Sequence, residues 1–221
     1  MKISSNIRDN MSHFHALLDV ETNFDIVYHT LVIGGRQSCL YFIDGFTKDE
    51  VLLKLMQGWV SLKPEDLPDI AHDFSKKYVA YGEVGLSDEE QQILIQLFSG
   101  LSCLFIDGYS ECILIDCRTY PARSVSEPDK DKVLRGSRDG FVETLIFNTA
   151  LIRRRIRDKN LTVEITQTGE SSHTDIALCY MKGRVDEHLL STLKERINTL
   201  HVDALTMNQE SLAECLFPHK W

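Results

Sequence analysis

Residues 24–43, FDIVYHTLVIGGRQSCLYFI, hold two runs rich in valine, isoleucine, tyrosine and leucine, separated by Gly34 and Gly35. Such runs are typical of β-strands, and a glycine pair between them favours a tight turn. We therefore predict a β-hairpin made of residues 24–33 and 38–43. Because the first run alternates apolar and polar residues only imperfectly, we expect one of its faces to be buried.

Two local patterns predict helices that follow strands or turns. Thr47 and Glu50 are spaced as a capping box, in which a threonine hydroxyl accepts a hydrogen bond from the amide three residues on and the glutamate reaches back. Ser87 and Glu90 repeat this spacing. We therefore expect a helix to begin at each of the two boxes.

The remaining patterned segments are typical of further hairpins and helices. Asp107 and Gly108 separate two short apolar runs and so predict a second hairpin. Residues 141–157 show the clearest helical spacing in the chain. The other predicted elements are helices at 4–18, 66–79, 186–200 and 208–216, and strands at 161–167 and 176–181.

A polar stretch without apolar periodicity divides the chain into two halves. We predict an N-terminal α/β subdomain at residues 1–122, a polar basic joint at 123–140 and a C-terminal α/β subdomain at 141–221. The predicted fold class is α/β in the α+β sense, with mixed sheets and hairpins in two small subdomains and helices packed on the sheets.

Composition excludes several classes of function. Hydrophobic residues make up 43% of the 221 residues and charged residues 26%, which is typical of a globular protein. The net charge of −9 repels phosphate backbones, so we expect no nucleic-acid partner. No secretion signal and no apolar run of about 18 residues is present, so we expect these residues to lie in the cytosol.

Sequence motifs of enzymes and metal sites are missing. The chain has no nucleophile elbow, Walker A loop, dinucleotide glycine fingerprint or H-E-x-x-H sequence. The six cysteines lie mostly in apolar runs and form no C-x-x-C pair, which favours reduced core thiols. We therefore predict no enzyme activity, no catalytic residue, no metal and no cofactor.

The middle of the chain is basic. Residues 118–158 hold ten basic and six acidic residues, a net charge of +4 in an otherwise acidic chain. Three interpretations of this segment stay open: arginines that meet the negative end of a helix dipole, a small-anion site at a helix N-terminus, or an interface within the chain or with another chain. We favour the interface. The candidate residues for an interface or anion site are Glu127, Arg135, Gly136, Arg138, Asp139, Gly140, Arg153, Arg154, Arg155 and Arg157.

The same segment resembles the signature of the GerA family of spore germination A subunits. The matching stretches are EPD at 127–129, RGSRDGFVE at 135–143 and NTALIRRRI at 148–156. Ser137 stands where many A subunits carry proline, and Asp139 stands where they carry glutamate. These departures, together with IGGR at 33–36 and LYFIDG at 40–45, are similar to the stage V sporulation protein AF branch of the family.

The resemblance implies a protein of the spore inner membrane. It implies that these residues form a soluble N-terminal domain facing the cytosol of the spore core, and that a membrane region follows them. It also implies self-association, other germination membrane proteins as partners, and a part in an oligomeric ligand-gated ion channel. In the stage V branch, the implied role is to amplify ion release rather than to sense nutrients.

Two functions from different classes follow from these observations. The first is a regulatory and assembly domain of a germination membrane complex, in which residues 127–157 join the two subdomains. The alternative is a small-molecule receptor with a cleft between its halves for an amino acid, a sugar or an anion. An enzyme is disfavoured because the sequence shows no nucleophile and base at a recognisable spacing.

Overall fold

The computed structural model describes residues 1–79, 82–119, 140–203 and 209–217. The chain divides into two compact units, Met1–Lys159 and Asn160–Trp221. The division falls one helix later than the sequence predicts, because the helix predicted at 141–157 packs on the first unit. Apart from Gly140, the predicted joint at 123–140 lies outside the described residues.

The first unit contains a five-stranded antiparallel sheet with the strand order β1-β2-β4-β5-β3. The strands are β1 (Ile26–Ile33), β2 (Arg36–Ile43), β3 (Val84–Ser87), β4 (Ser102–Ile106) and β5 (Cys112–Ile115). The helices are α1 (Ile7–Leu18), α2 (Asp49–Val60), α3 (Ala71–Tyr78), α4 (Glu90–Phe98) and α5 (Leu145–Arg155), with a 3-10 turn at Pro64–Asp66.

The hairpin predicted at residues 24–43 is confirmed. β1 and β2 pair from Ile26 opposite Ile43 to Ile33 opposite Arg36. Gly34 has a φ of +54°, and a β-carbon on it would lie 2.6 Å from the Leu67 β-carbon. The turn therefore needs glycine for both its backbone conformation and its close packing.

Helices cover both faces of this sheet. Side chains alternate between the two faces along each strand, so each strand contributes to both buried layers. In β2, Cys39 and Tyr41 pack into a cluster that α1 and α4 cover. Leu40 and Phe42 pack into a second cluster on the opposite face, which α2 and α3 cover. The first unit is thus a sheet between two layers of helices, and the predicted α/β fold class is confirmed.

The second unit is smaller. It contains an antiparallel hairpin of β6 (Leu161–Thr168) and β7 (Thr174–Met181), followed by α6 (Glu187–Asn198) and α7 (Gln209–Leu216). Its buried cluster includes Ile176, Ile197 and Leu216. Sheets of mixed direction were expected, but the strand pairs in the described parts of both units are antiparallel.

The two predicted capping boxes are wrong. α2 has Lys48 as its N-cap without a side-chain hydrogen bond, because Thr47 is held in a β-bridge with Arg118. α4 has Glu89 as its N-cap, and the Ser87 hydroxyl accepts a hydrogen bond from the Glu89 amide instead. Pairing between distant segments therefore overrides the local capping preference at Thr47.

Candidate functional site

Helix α5 belongs to the first unit, and a buried ion pair attaches it to the rest of that unit. We call this pair, Arg153 with Asp25, the anchor. The side chain of Arg153 is fully buried. Its Nε lies 2.8 Å from Oδ2 of Asp25, and its Nη2 lies 2.9 Å from Oδ1 of the same carboxylate. Two parallel hydrogen bonds between planar charged groups fix both distance and orientation. The pair therefore sets where α5 lies relative to the segment just before β1.

Neighbouring groups complete this anchor. Arg153 Nη2 also donates to Oδ1 of Asn23 at 3.4 Å, and the guanidinium lies 5.5 Å from the centre of the Phe98 ring. Asn23 donates in turn to the carbonyl of Leu18, at the end of α1. The guanidinium thus contacts the start of β1 and the helix α4, with α1 one hydrogen bond away.

Arg153 therefore belongs to the core rather than to an exposed surface. In the structure, its guanidinium pairs with Asp25 of the same chain. Burying a charged pair costs solvation energy, and removing one partner leaves the other charge uncompensated at a cost of about 3–5 kcal/mol. The role of Arg153 is to hold α5 in place.

The other arginines of this cluster are more accessible. Arg154 is half-buried, and Arg155 and Arg157 are exposed. Arg157 donates to the Ser99 hydroxyl at 3.2 Å and to the carbonyl of Arg154 at 3.3 Å. Cations in the last turn of a helix are also stabilised by its dipole. The remaining candidates, Glu127, Arg135, Gly136, Arg138 and Asp139, lie outside the described residues.

The start of α5 differs from the sequence prediction. The helix begins at Leu145, four residues later than expected, with Thr144 as an N-cap that makes no side-chain hydrogen bond. The amide side chain of Asn148 instead bonds both the amide and the carbonyl of Val142, at 2.7 Å each. Gly140, which is half-buried, therefore lies before this turn and outside the first turn of the helix.

Large apolar side chains are exposed at the start of α5. Phe141 is 61% exposed and Phe147 is 44% exposed. Ile146 is 36% exposed. We give the name α5 surface to five of the exposed residues in this segment: Phe141, Ile146, Phe147, Arg155 and Arg157.

A pocket of about 580 Å³ lies between the start of α2 and the start of α5. Apolar side chains of Val51, Ile146 and Phe147 form part of its wall, and so do polar groups. The polar part of the wall includes Asp44, Thr47, Lys48, Asp49, Glu50, Thr119 and Thr144. We call this cavity the α2–α5 pocket. No local sequence pattern marks its lining residues, because its two sides are about 100 residues apart.

The carboxyl group of Asp44 is the half-buried acid of this pocket. Burial raises its pKa, and the nearby charges of Asp49 and Asp25 raise it further. The amide of Gly45 opposes this effect by donating to Oδ1 of Asp44 at 2.9 Å. At acidic pH, the folded protein therefore holds a proton on Asp44 more readily than a free aspartate does.

The backbone at Gly45 allows α5 to approach this pocket closely. Gly45 has a φ of +78°, and a β-carbon on it would lie 3.0 Å from Cγ2 of Ile146 and 3.2 Å from the Ala150 β-carbon. Any larger residue would press on the helix. Gly45 thus positions the apolar wall of the pocket beside its acidic wall.

The cysteines of the first unit are core residues. Cys39, Cys103, Cys112 and Cys117 are buried, and burial raises the pKa of the Cys39 thiol to about 11. Cys179 departs from the expectation because it is exposed. No cluster of three or more histidine, cysteine, aspartate or glutamate side chains that could hold a metal ion occurs in the described residues.

The chain is similar to known proteins over most of its length. A family model described as Bacillus/Clostridium GerA spore germination protein matches residues 14–221. Stage V sporulation protein AF of Bacillus subtilis strain 168 is 33% identical over 216 residues, which cover 97% of the chain and 44% of that protein. A Bacillus subtilis protein named "Uncharacterized membrane protein YfkQ" is 28% identical over 204 residues, which cover 92% of the chain and 39% of that protein. The chain therefore spans less than half the length of these relatives.

A solved structure has a similar fold. The crystal structure of the N-terminal domain of the A subunit of the Bacillus megaterium spore germinant receptor GerK3 superposes with a TM-score of 0.71. The sequence identity is 20%, and the match covers 97% of this chain and 76% of the other. At this level of identity the match establishes the shared fold.

Proposed function

The chain belongs to the GerA family of spore germination proteins, and on that premise we propose that it is a regulatory and assembly domain of a spore inner-membrane germination protein. In this role, the domain contributes to nutrient-triggered or amplified ion release during germination. We propose binding rather than catalysis, because the relatives are named for sporulation and germination and not for a reaction.

We place the membrane contact of such a protein outside these 221 residues. None of the helices in the described ranges is long and apolar enough to cross a membrane. The chain spans 44% of stage V sporulation protein AF and 39% of a relative whose name calls it a membrane protein, so more than half of each relative lies beyond the match. In this proposal, the domain faces the cytosol of the spore core.

The observation that supports the assembly role is that α5 has one buried, paired arginine and several exposed side chains. Arg153 pairs with Asp25 just before β1, whereas the α5 surface presents exposed apolar and basic side chains. Exposed apolar side chains that lie together are typical of protein interaction sites. Arg155 and Arg157 add positive charge for an acidic partner surface. We propose that this partner is a second copy of the chain or another germination membrane protein.

A charge-reversal experiment tests this role in the full-length protein. We expect the double substitution Arg155→Glu and Arg157→Glu to reduce recovery of partners from solubilised spore membranes and to slow germination. Charge reversal at an interface weakens binding because like charges then face each other. The 221-residue chain with the same substitutions should keep its thermal unfolding midpoint within a few degrees, since both side chains are exposed.

A matched control tests whether the position of the reversed charges matters, and not only the change in net charge. Lys54→Glu with Lys76→Glu changes the total charge equally, at exposed positions of α2 and α3. We expect this control to germinate normally. If the Arg155 and Arg157 variant also germinates normally at equal protein levels, the assembly role of the α5 surface is wrong.

Ligand binding is the second candidate function. The α2–α5 pocket favours it, because its volume of about 580 Å³ suits a small molecule. The walls of this pocket come from residues 44–51 and 119 of the first predicted half and from residues 144–147 of the second, and all of these residues belong to the first unit of the structure.

A further inference from the structure

We propose that the α2–α5 pocket binds a small organic cation, in which an ammonium group is carried on a short apolar body. This inference rests on the ligand-binding candidate. Ile146 and Phe147 belong to both the pocket wall and the α5 surface, whereas Arg155 and Arg157, which the assembly test changes, are not among the residues that line the pocket. The pocket has an acidic wall that can contact the ammonium group and an apolar wall that can contact the apolar body. Its acidic wall comes from residues 44–50, and its apolar wall comes from Val51 and the start of α5.

The charged residues in the pocket wall favour a ligand of positive charge. Asp44, Asp49 and Glu50 stand in the wall against one cation, Lys48. A helix N-terminus by itself would attract an anion, but the first turn of α2 already carries Asp49 and Glu50. The net field in the pocket therefore favours a positively charged group.

Asp44 provides the direct contact for the ammonium group. Its Oδ1 accepts a hydrogen bond from Gly45, and within the described ranges Oδ2 has no hydrogen-bond partner. The neighbouring Asp25 is neutralised by Arg153, so Asp44 is the half-buried carboxylate here that still lacks a counter-ion. An ammonium ion at Oδ2 would supply both the missing hydrogen bond and the counter-charge.

Thr47 is a further polar residue in the wall of the pocket. The residue is 7% exposed and lines the pocket, yet its hydroxyl finds no hydrogen-bond partner in the described parts of the chain. A buried hydroxyl without a partner is unfavourable. The Thr47 hydroxyl is buried in the pocket wall and leaves the contact with the ammonium group to Asp44.

The apolar wall selects for the rest of the ligand. Ile146 and Phe147 are partly exposed where they line the pocket, and Val51 is half-buried beside them. Covering these side chains with an aromatic or branched aliphatic body removes apolar surface from water. A bare inorganic cation would leave that surface exposed, so an organic amine fits the pocket better.

A titration with three compounds of one shape tests the charge preference. Phenethylammonium chloride, 2-phenylethanol and sodium phenylacetate are added to the 221-residue chain, and amide shifts are followed by NMR. We expect saturable shifts at Gly45, Ile146 and Phe147 with the ammonium compound. The alcohol and the carboxylate should bind at least about tenfold more weakly, because they lack the charge that Asp44 complements.

Two variants locate the interaction. Asp44→Asn keeps the shape of the side chain and should weaken phenethylammonium binding about tenfold, whereas Glu195→Gln on the exposed face of α6 should leave it unchanged. Equal binding of the alcohol, unchanged binding by the Asp44 variant, or absence of saturable shifts at the pocket would each overturn the inference. None of these outcomes alters the germination test of the α5 surface, so the two proposals fail separately.

Discussion

Replacing Arg153 by methionine tests whether one buried side chain holds α5 in place. Methionine keeps much of the apolar volume and removes the guanidinium, so the fully buried carboxylate of Asp25 loses its bidentate partner. Breaking a buried pair in this way costs about 3–5 kcal/mol of unfolding free energy. For a chain of this length, each kcal/mol lowers the unfolding midpoint by about 2–4 °C, so we expect a loss of about 6–20 °C.

Urea unfolding of the 221-residue chain, followed by circular dichroism, measures this loss. Arg155→Met is the matched control, because it makes the same substitution at an exposed position of the same helix. We expect the control to change stability by no more than about 1 kcal/mol. A loss of less than about 1 kcal/mol for Arg153→Met would refute the anchor.

A second substitution separates the lost pair from the lost packing. Adding Asp25→Asn to Arg153→Met removes the uncompensated buried charge. We therefore expect the double variant to be more stable than Arg153→Met alone, with a coupling energy of at least about 1 kcal/mol. Simple additivity of the two substitutions would contradict an interaction between the side chains.

Three further predictions concern the pocket and the thiols. Gly45→Ala should destabilise the fold by about 1–3 kcal/mol in thermal unfolding, because its φ is +78° and the added carbon meets Ile146. Since the pKa of Asp44 is raised in the folded state, the native protein should lose stability relative to Asp44→Asn as pH rises from about 4 through that pKa, and unfolding midpoints at several pH values measure this. Cys179 is exposed and should react with a thiol reagent in the native protein, whereas the pKa of Cys39, raised to about 11 by burial, leaves it unreactive until unfolding.

Local sequence patterns predicted most of the first unit. The hairpin around Gly34 and the one around Gly108 form where expected, because turn residues and β-branched runs act over a few neighbouring positions. The α/β class follows from the same patterns. Capping at Thr47 was predicted wrongly, since its bridge to Arg118 involves a residue 71 positions away.

The anchor and the pocket could not be predicted in the same way. Four arginines within residues 153–157 have similar local surroundings in the sequence, yet Arg153 is fully buried while Arg155 is exposed. The difference depends on Asp25, which is 128 residues away in the chain. The pocket likewise needs residues 44–51 and 144–147 to meet. Both features depend on tertiary contacts, which spacing within one segment does not reveal.

The distance in sequence between Asp25 and Arg153 also has a consequence for synthesis on the ribosome. The carboxylate emerges 128 residues before the guanidinium that neutralises it. At about 5–20 residues per second, that interval lasts roughly 6–26 s. Throughout it, β1 and β2 can pair, but the site that α5 will occupy stays hydrated and open. The first unit therefore completes its fold only after translation has passed α5.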